Sequence, residues 1–146
     1  MRGCERCISS RRCQSNQDAT DQNAQLNYGY GVLRAIIARG VCAAGLHPTL
    51  GIHHSNQYNA YCLVDDTMEP YRPIVDRIVA QWVVVQGKAK TVDKEFKAFM
   101  IRGLLNRFSL DDEKRTLFDC AFLTTSSMVA VMEGKQKDVA LPKWWL

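Results

Sequence analysis

No stretch of this 146-residue sequence is apolar for long enough to cross a bilayer. The strongest apolar run, Ile78 to Val85, is broken by Gln81 and falls far short of the roughly 20 residues a membrane helix needs. There are four prolines, and no Pro/Gly/Ser tract or block of like charge, which argues against long disorder. No apolar run follows the arginine-rich start, Met1 to Cys13, so the hydrophobic region of a secretory signal is missing. Together these absences place the chain in the cytoplasm, with no membrane partner. A second Cys-x-x-C is missing too. Cys4 and Cys7 form one pair with Cys13 nearby, whereas tetrahedral zinc wants four ligands, so an unstructured leader over residues 1–20 is a better reading than a zinc site. The remaining cysteines, Cys42, Cys62 and Cys120, fall in apolar-periodic segments where a buried thiol is expected.

What is present suits one packed core, since 47% of the residues are apolar. Leu26, Tyr30, Leu33, Ile37, Val41 and Ala44 recur at spacings of three and four, which predicts a helix over Asp21 to Ala44. Thr20 or Asp21 can cap it, and Gly45 with Pro48 ends it. Gly29, Gly31 and Gly40 inside it point to close approach by a neighbouring backbone or a ligand. Residues 45–65 mix Gly, Pro, His, Asn and Ser and read as a loop with brief extended pieces. A second helix should begin near Glu69, because Pro70 and Pro73 are tolerated only in a first turn, and should end near Gly87. A third helix is expected over Val92 to Asn106. The fourth is expected from Ser109, with Asp111, Asp112 and Glu113 at its positive end, to Gly134. With no internal repeat and no convincing sheet, the fold class is all-α: residues 21–146 form a helical bundle.

The net charge of +4 is unevenly distributed. Residues 88–107 hold Lys88, Lys90, Lys94, Lys97, Arg102 and Arg107 against Asp93 and Glu95, an excess as large as that of the whole chain. Such a segment can neutralise phosphates, with Lys94 and Lys97 as the candidate DNA contacts. A solvated lysine-rich helix face accounts for the composition equally well.

Asp65, Asp66 and Glu69 gather three carboxylates at the entrance of the expected second helix, with His53 and His54 just upstream. Asp66 and Glu69, three residues apart, share a helical face. Oxygen donors suit magnesium or manganese, and manganese also accepts imidazole. On spacing alone, helix capping and a polar loop explain the same residues better than a metal does.

The order of residues adds a second line of argument. Leu50-Gly51-Ile52-His53-His54, then Asn56 and Asn59, then Cys62 to Pro73 (CLVDDTMEPYRP) resembles the active-site segment of the CRISPR-associated integrase family, especially its type II branch. Leu26 to Arg34 (LNYGYGVLR) resembles the family's preceding helix, and Gly45-Leu46-His47-Pro48 its end. The likeness continues more weakly to about Pro142. It implies that the bundle is the family's C-terminal catalytic domain and that His54 and, fifteen residues later, Glu69 bind Mg2+ or Mn2+. Asp66, counted with the catalytic group, would be an acid behind the metal ligands or an accessory acid. Tyr30 and Arg72 would neighbour phosphate, although an Arg72 pair with Glu69 or Asp66 is an equal structural account.

The implied chemistry is a phosphodiester transesterification that inserts captured DNA into a CRISPR array, or endonucleolytic cleavage when water is the nucleophile. The implied partners are double-stranded DNA, a second copy in a homodimer of the full-length family, and the small second CRISPR adaptation protein. Full members are far longer, beginning with a β-rich dimerisation domain and a helix whose glutamate is a third metal ligand. The expectation is therefore an N-terminally truncated, weakly active or inactive polypeptide, and Glu5 is not assigned that glutamate's role. A non-catalytic helical DNA-binding or scaffold module is the competing reading, and a small cysteine-rich zinc protein a third.

Overall fold

Leu33, Ile37 and Val41, one helical turn apart, are completely buried, and they make α1 the axis of the fold. In a computed structural model, which describes residues 22–54, 56–86, 92–110 and 113–142, α1 spans Gln22–Ala43. It packs against α2 (Cys62–Met68), α3 (Arg72–Gln86), α5 (Leu117–Met132) and, more lightly, α4 (Lys94–Leu104). The leader with Cys4, Cys7 and Cys13, the residues Lys88 and Lys90, and the two C-terminal tryptophans lie outside the described residues.

Two of the three α1 glycines are contact points. A Cβ on Gly29 would lie 2.5 Å from Val75 Cγ1 and 2.8 Å from Met100 Cε, so α3 and α4 close directly onto the α1 backbone. A Cβ on Gly40 would lie 3.3 Å from the Ala121 carbonyl group of α5, and the Thr125 hydroxyl reaches the Gly40 carbonyl oxygen at 3.1 Å. Gly31 is approached by no neighbouring backbone or side chain, since nothing lies within 4 Å of the position its Cβ would take. Gly45 ends the helix at φ +78, with the Leu46 N–H donating to Val41 O at 3.1 Å and the Gly45 N–H to Cys42 O at 3.1 Å.

The loop after α1 is shorter than expected. Helix resumes at Cys62, runs to Met68, tightens into a 3-10 turn over Glu69–Tyr71 and continues as α3. Burial explains the difference: Cys62, Leu63, Val64, Thr67 and Met68 all face the core at helical spacing. The 3-10 turn sits where Pro70 and Pro73 remove backbone donors from an otherwise continuous helical path. Tyr71, at its end, is fully buried.

A further correction concerns residues 107–116. Instead of the first turns of a helix, they form an antiparallel pair, β1 (Arg107–Leu110) and β2 (Glu113–Thr116), with Phe108 opposite Arg115. The segment has few apolar residues and none at helical spacing, so a helix there would bury nothing. Helix α5 starts instead at Leu117, with a reciprocal cap: the Asp119 N–H donates to Thr116 Oγ1 at 3.2 Å and the Thr116 N–H to Asp119 Oδ2 at 3.3 Å. Asp111 and Asp112, expected to serve this end, lie outside the described residues. The protein remains mostly helical, in agreement with the all-α expectation. Among the described residues no helix is long and apolar enough to cross a membrane.

Buried polar residues fasten the C-terminal tail to α5. The Thr124 hydroxyl donates to Ala140 O at 2.7 Å and lies 2.7 Å from the Tyr71 hydroxyl, while the Ala140 N–H donates to Ser127 Oγ at 2.9 Å. Burial pushes the Tyr71 hydroxyl well above the usual phenol range, so it stays protonated as a hydrogen-bonding group. This pinning carries Val139 and Leu141 over the end of α5, where they enclose one side of the cavity described below. Of the cysteines expected to be buried, Cys62 and Cys120 are, whereas Cys42, on the solvent side of the last turn of α1, is exposed; all three are free thiols.

Candidate active site

Residues 52–54 of the loop after α1 are held in place by one carboxylate. Asp66, in α2, accepts the backbone N–H groups of Ile52 at 2.6 Å, His53 at 2.8 Å and His54 at 3.3 Å, and its other oxygen meets Nδ1 of the His54 ring. Burial alone would raise the Asp66 pKa, but the N–H donors of residues 52–54 and the His54 ring outweigh it and hold the carboxyl below its ordinary value. Only 9% of the Asp66 side chain is exposed, so this latch works largely out of water. Gly51 makes it possible: a Cβ there would lie 2.2 Å from the His54 carbonyl oxygen and 3.1 Å from Asp66 Oδ2. The resemblance makes Asp66 an acid supporting the metal ligands or an accessory acid, without indicating its grip on the loop. The glycine preceding Ile52-His53-His54 was the available signal.

His54 and Glu69 line one cavity of about 500 Å³. Its lining includes His53, His54, Asp66 and Glu69 beside Ile52, Pro70, Met128, Val131 and the tail residue Leu141, and the surface it exposes is almost entirely apolar. Neither the α5 wall nor the tail was foreseen, because nothing local in their sequence marks a site. Glu69, at the first position of the 3-10 turn, is half exposed and pairs with Arg72. Arg72 in turn lies over the Tyr30 ring, 4.9 Å from its centroid, and the Tyr30 hydroxyl donates to Asp76. Burial first, and then the bond and charge of Asp76, push the Tyr30 pKa up to about 12, so the phenol keeps its proton. Of the two arginine pairings considered, the structure therefore has the one with Glu69.

Asp65 belongs to another cluster. Its carboxylate faces α1, taking Arg34 at 2.7 Å and Asn59 Nδ2 at 2.8 Å, with the Arg34 guanidinium 4.9 Å from the Tyr61 ring centroid. It braces α2 against α1 and does not line the cavity. Lys94 and Lys97 are exposed on α4 and also do not line it; Lys97 Nζ stands 5.7 Å over the Tyr28 ring. Among the described residues no group of three or more His, Cys, Asp or Glu side chains is arranged to hold a metal ion.

The family model for CRISPR associated protein Cas1 matches residues 7–117. The CRISPR-associated endonuclease Cas1 of Neisseria meningitidis serogroup C is 32% identical over 131 residues, 88% of this chain and 43% of that protein. A CRISPR-associated endonuclease Cas1 of Pyrobaculum aerophilum is 48% identical over 59 residues, 40% of this chain and 20% of that protein. Among solved structures, a casposase bound to integration product superposes with a TM-score of 0.69 at 20% identity, covering 82% of this chain and 37% of that one, which is a likeness of fold. The chain spans less than half the length of these relatives.

Proposed function

This chain belongs to the CRISPR-associated Cas1 family, and on that premise we propose that the His54–Glu69 cavity is the centre of a metal-dependent DNA endonuclease and integrase of CRISPR adaptation. The observation that carries the reading is the contact between Asp66 and His54. An ionised carboxylate only accepts hydrogen bonds, so Nδ1 of His54 carries a proton and Nε2 is the ring nitrogen left to meet a cation. Carboxylate partners of this kind orient metal-binding histidines and raise their basicity.

The donor set fits Mn2+ or Mg2+: one oxygen ligand from Glu69 and one imidazole, which manganese accepts readily. Bound there, the ion would polarise a scissile phosphate and stabilise the charge of an in-line displacement by a DNA 3′-hydroxyl or by water. His54 and Glu69 would hold it, and Asp66 would keep the ring turned and the loop closed. Arg72 on Tyr30, and Lys94 and Lys97 further along the surface, would bind phosphates of double-stranded DNA. A homodimer and the small second CRISPR adaptation protein are the partners proposed for the full-length protein.

With two protein ligands among the described residues, a hard cation keeps most of its hydration shell and is loosely placed, and catalysis is sensitive to such placement. The chain alone should therefore show little strand transfer or cleavage. A helical DNA-binding or scaffold module is the second reading, favoured by the absence of a three-ligand cluster among the described residues. The test is a strand-transfer and cleavage assay in manganese. It compares this chain, the chain joined to the upstream part of the meningococcal relative, and the joined chain carrying His54→Ala or Glu69→Ala. Activity in the joined chain that both substitutions abolish supports the enzyme. Activity surviving both refutes the site, and a joined chain that binds DNA without reacting favours the scaffold.

A further inference from the structure

The placement of Arg72 bears on how the site loads. Its Nη1 lies 3.2 Å from Glu69 Oε1 and 3.4 Å from Oε2, so a single nitrogen spans both carboxylate oxygens. The guanidinium rests on the Tyr30 ring, which its own hydroxyl bond to Asp76 holds in place. Its Nε is buried and has no hydrogen-bond partner. An arginine that leaves a buried donor unused has not reached its best hydrogen-bonded state, and a planar fork with spare donors is suited to a bidentate anion.

We propose that Arg72 is a built-in competitor of the metal: it pairs with the Glu69 carboxylate until a divalent cation takes that carboxylate, and is then handed to a DNA phosphate. The proposal rests on the reading of Glu69 as a metal ligand. The physical argument is exclusion. A guanidinium nitrogen set between both oxygens blocks the edge on which a cation would seat, and two cations on that edge repel each other. The Tyr30 face remains a support after the ion pair breaks, because its attraction for a cation does not depend on Glu69. Release of Arg72 by a phosphate frees Glu69, and capture of Glu69 by a cation frees Arg72. Metal and phosphodiester should thus promote each other's binding, and by thermodynamic necessity the promotion is reciprocal.

The experiment is Mn2+ binding to the full chain, followed by electron paramagnetic resonance and titration calorimetry at low salt, without DNA. The variants are Arg72→Met, Arg72→Lys, Glu69→Gln and the double variant Arg72→Met/Glu69→Gln, each checked for folding by its thermal melt, with Arg72→Gln in reserve should Arg72→Met fail to fold. Arg72→Met should bind Mn2+ roughly two- to fivefold more tightly than wild type, the range a partly exposed ion pair supports. Arg72→Lys, which keeps the charge, should stay near wild type, and Glu69→Gln should weaken binding in both backgrounds. A short phosphodiester oligonucleotide should tighten Mn2+ binding more in wild type than in Arg72→Met. Glu69-dependent binding that Arg72→Met leaves unchanged or weakens would overturn the competition while sparing the metal site. Binding that does not respond to Glu69→Gln, or no binding in any variant, would overturn both.

Discussion

Asp66 holds His54 twice, through the backbone N–H at 3.3 Å and through Nδ1 of the ring. The same carboxylate also anchors Ile52 and His53, so it ties α2 to the preceding loop where both line the cavity. The geometry of the candidate site therefore depends on a residue that need not touch a substrate.

Replacing Asp66 by Asn keeps the shape but removes the charge and half of the acceptor capacity. The amide can accept on one side only, so loop N–H groups and the His54 ring compete for it. A stability loss of about 1–3 kcal/mol is expected, as for a buried polar group left partly unsatisfied. Faster amide exchange confined to Ile52, His53 and His54 would locate the loss; uniform exchange across the chain would argue against a local latch.

The latch should also weaken in acid. The Asp66 pKa is depressed in the folded protein relative to its ordinary 3.8, so its contribution is fully present well above that value and is lost as pH falls through the lower folded value. Thermal melts below pH 4 should therefore show wild type losing stability that Asp66→Asn does not have to lose. Parallel acid profiles for the two proteins would remove Asp66 from the account.

Two glycines provide a matched pair. Gly51→Ala would put a methyl group 2.2 Å from the His54 carbonyl and 2.8 Å from Cys62 Cβ, and should cost roughly 1–3 kcal/mol or more through forced backbone shifts. Gly31→Ala meets nothing within 4 Å on an exposed helical turn and should stabilise by about 0.5–1 kcal/mol. Denaturant melts of both variants check the order.

Lys94→Ala with Lys97→Ala should weaken binding of all duplex sequences similarly and reduce the slope of log affinity against log salt by up to about 2, if each contacts one phosphate. Lys97 lies over Tyr28, so a small packing loss will accompany the change. An unaltered slope would assign both residues to a solvated face of α4.

The sequence by itself determined the elements that depend on neighbours three and four residues away. The buried face of α1, the stop at Gly45 and the end of α5 at Gly134 could be read because periodicity and left-handed caps are local properties. The ordered motif from Leu26 to Pro73 also carried the family resemblance, and its two candidate ligands do line one cavity. Local pattern failed where two signals competed. At residues 62–68 the preceding loop composition masked a buried helical face, and at 107–116 the acidic residues Asp111, Asp112 and Glu113 suggested a helix start that the Thr116–Asp119 box supplies instead.

Tertiary structure alone decided the pairings across long separations. Asp65 and Asp66 are adjacent in sequence yet point to different tasks, one bracing Arg34 of α1 and the other clamping the histidine loop, because successive residues on a helix lie about 100° apart. Tyr30 meets Asp76 and supports Arg72 only because Gly29 lets α3 close against α1. The apolar wall from α5 and the tail likewise exists only after Thr124 and Ser127 fasten residue Ala140. These contacts join segments far apart in the chain, and no local preference encodes which distant surface a side chain will meet once the core has formed.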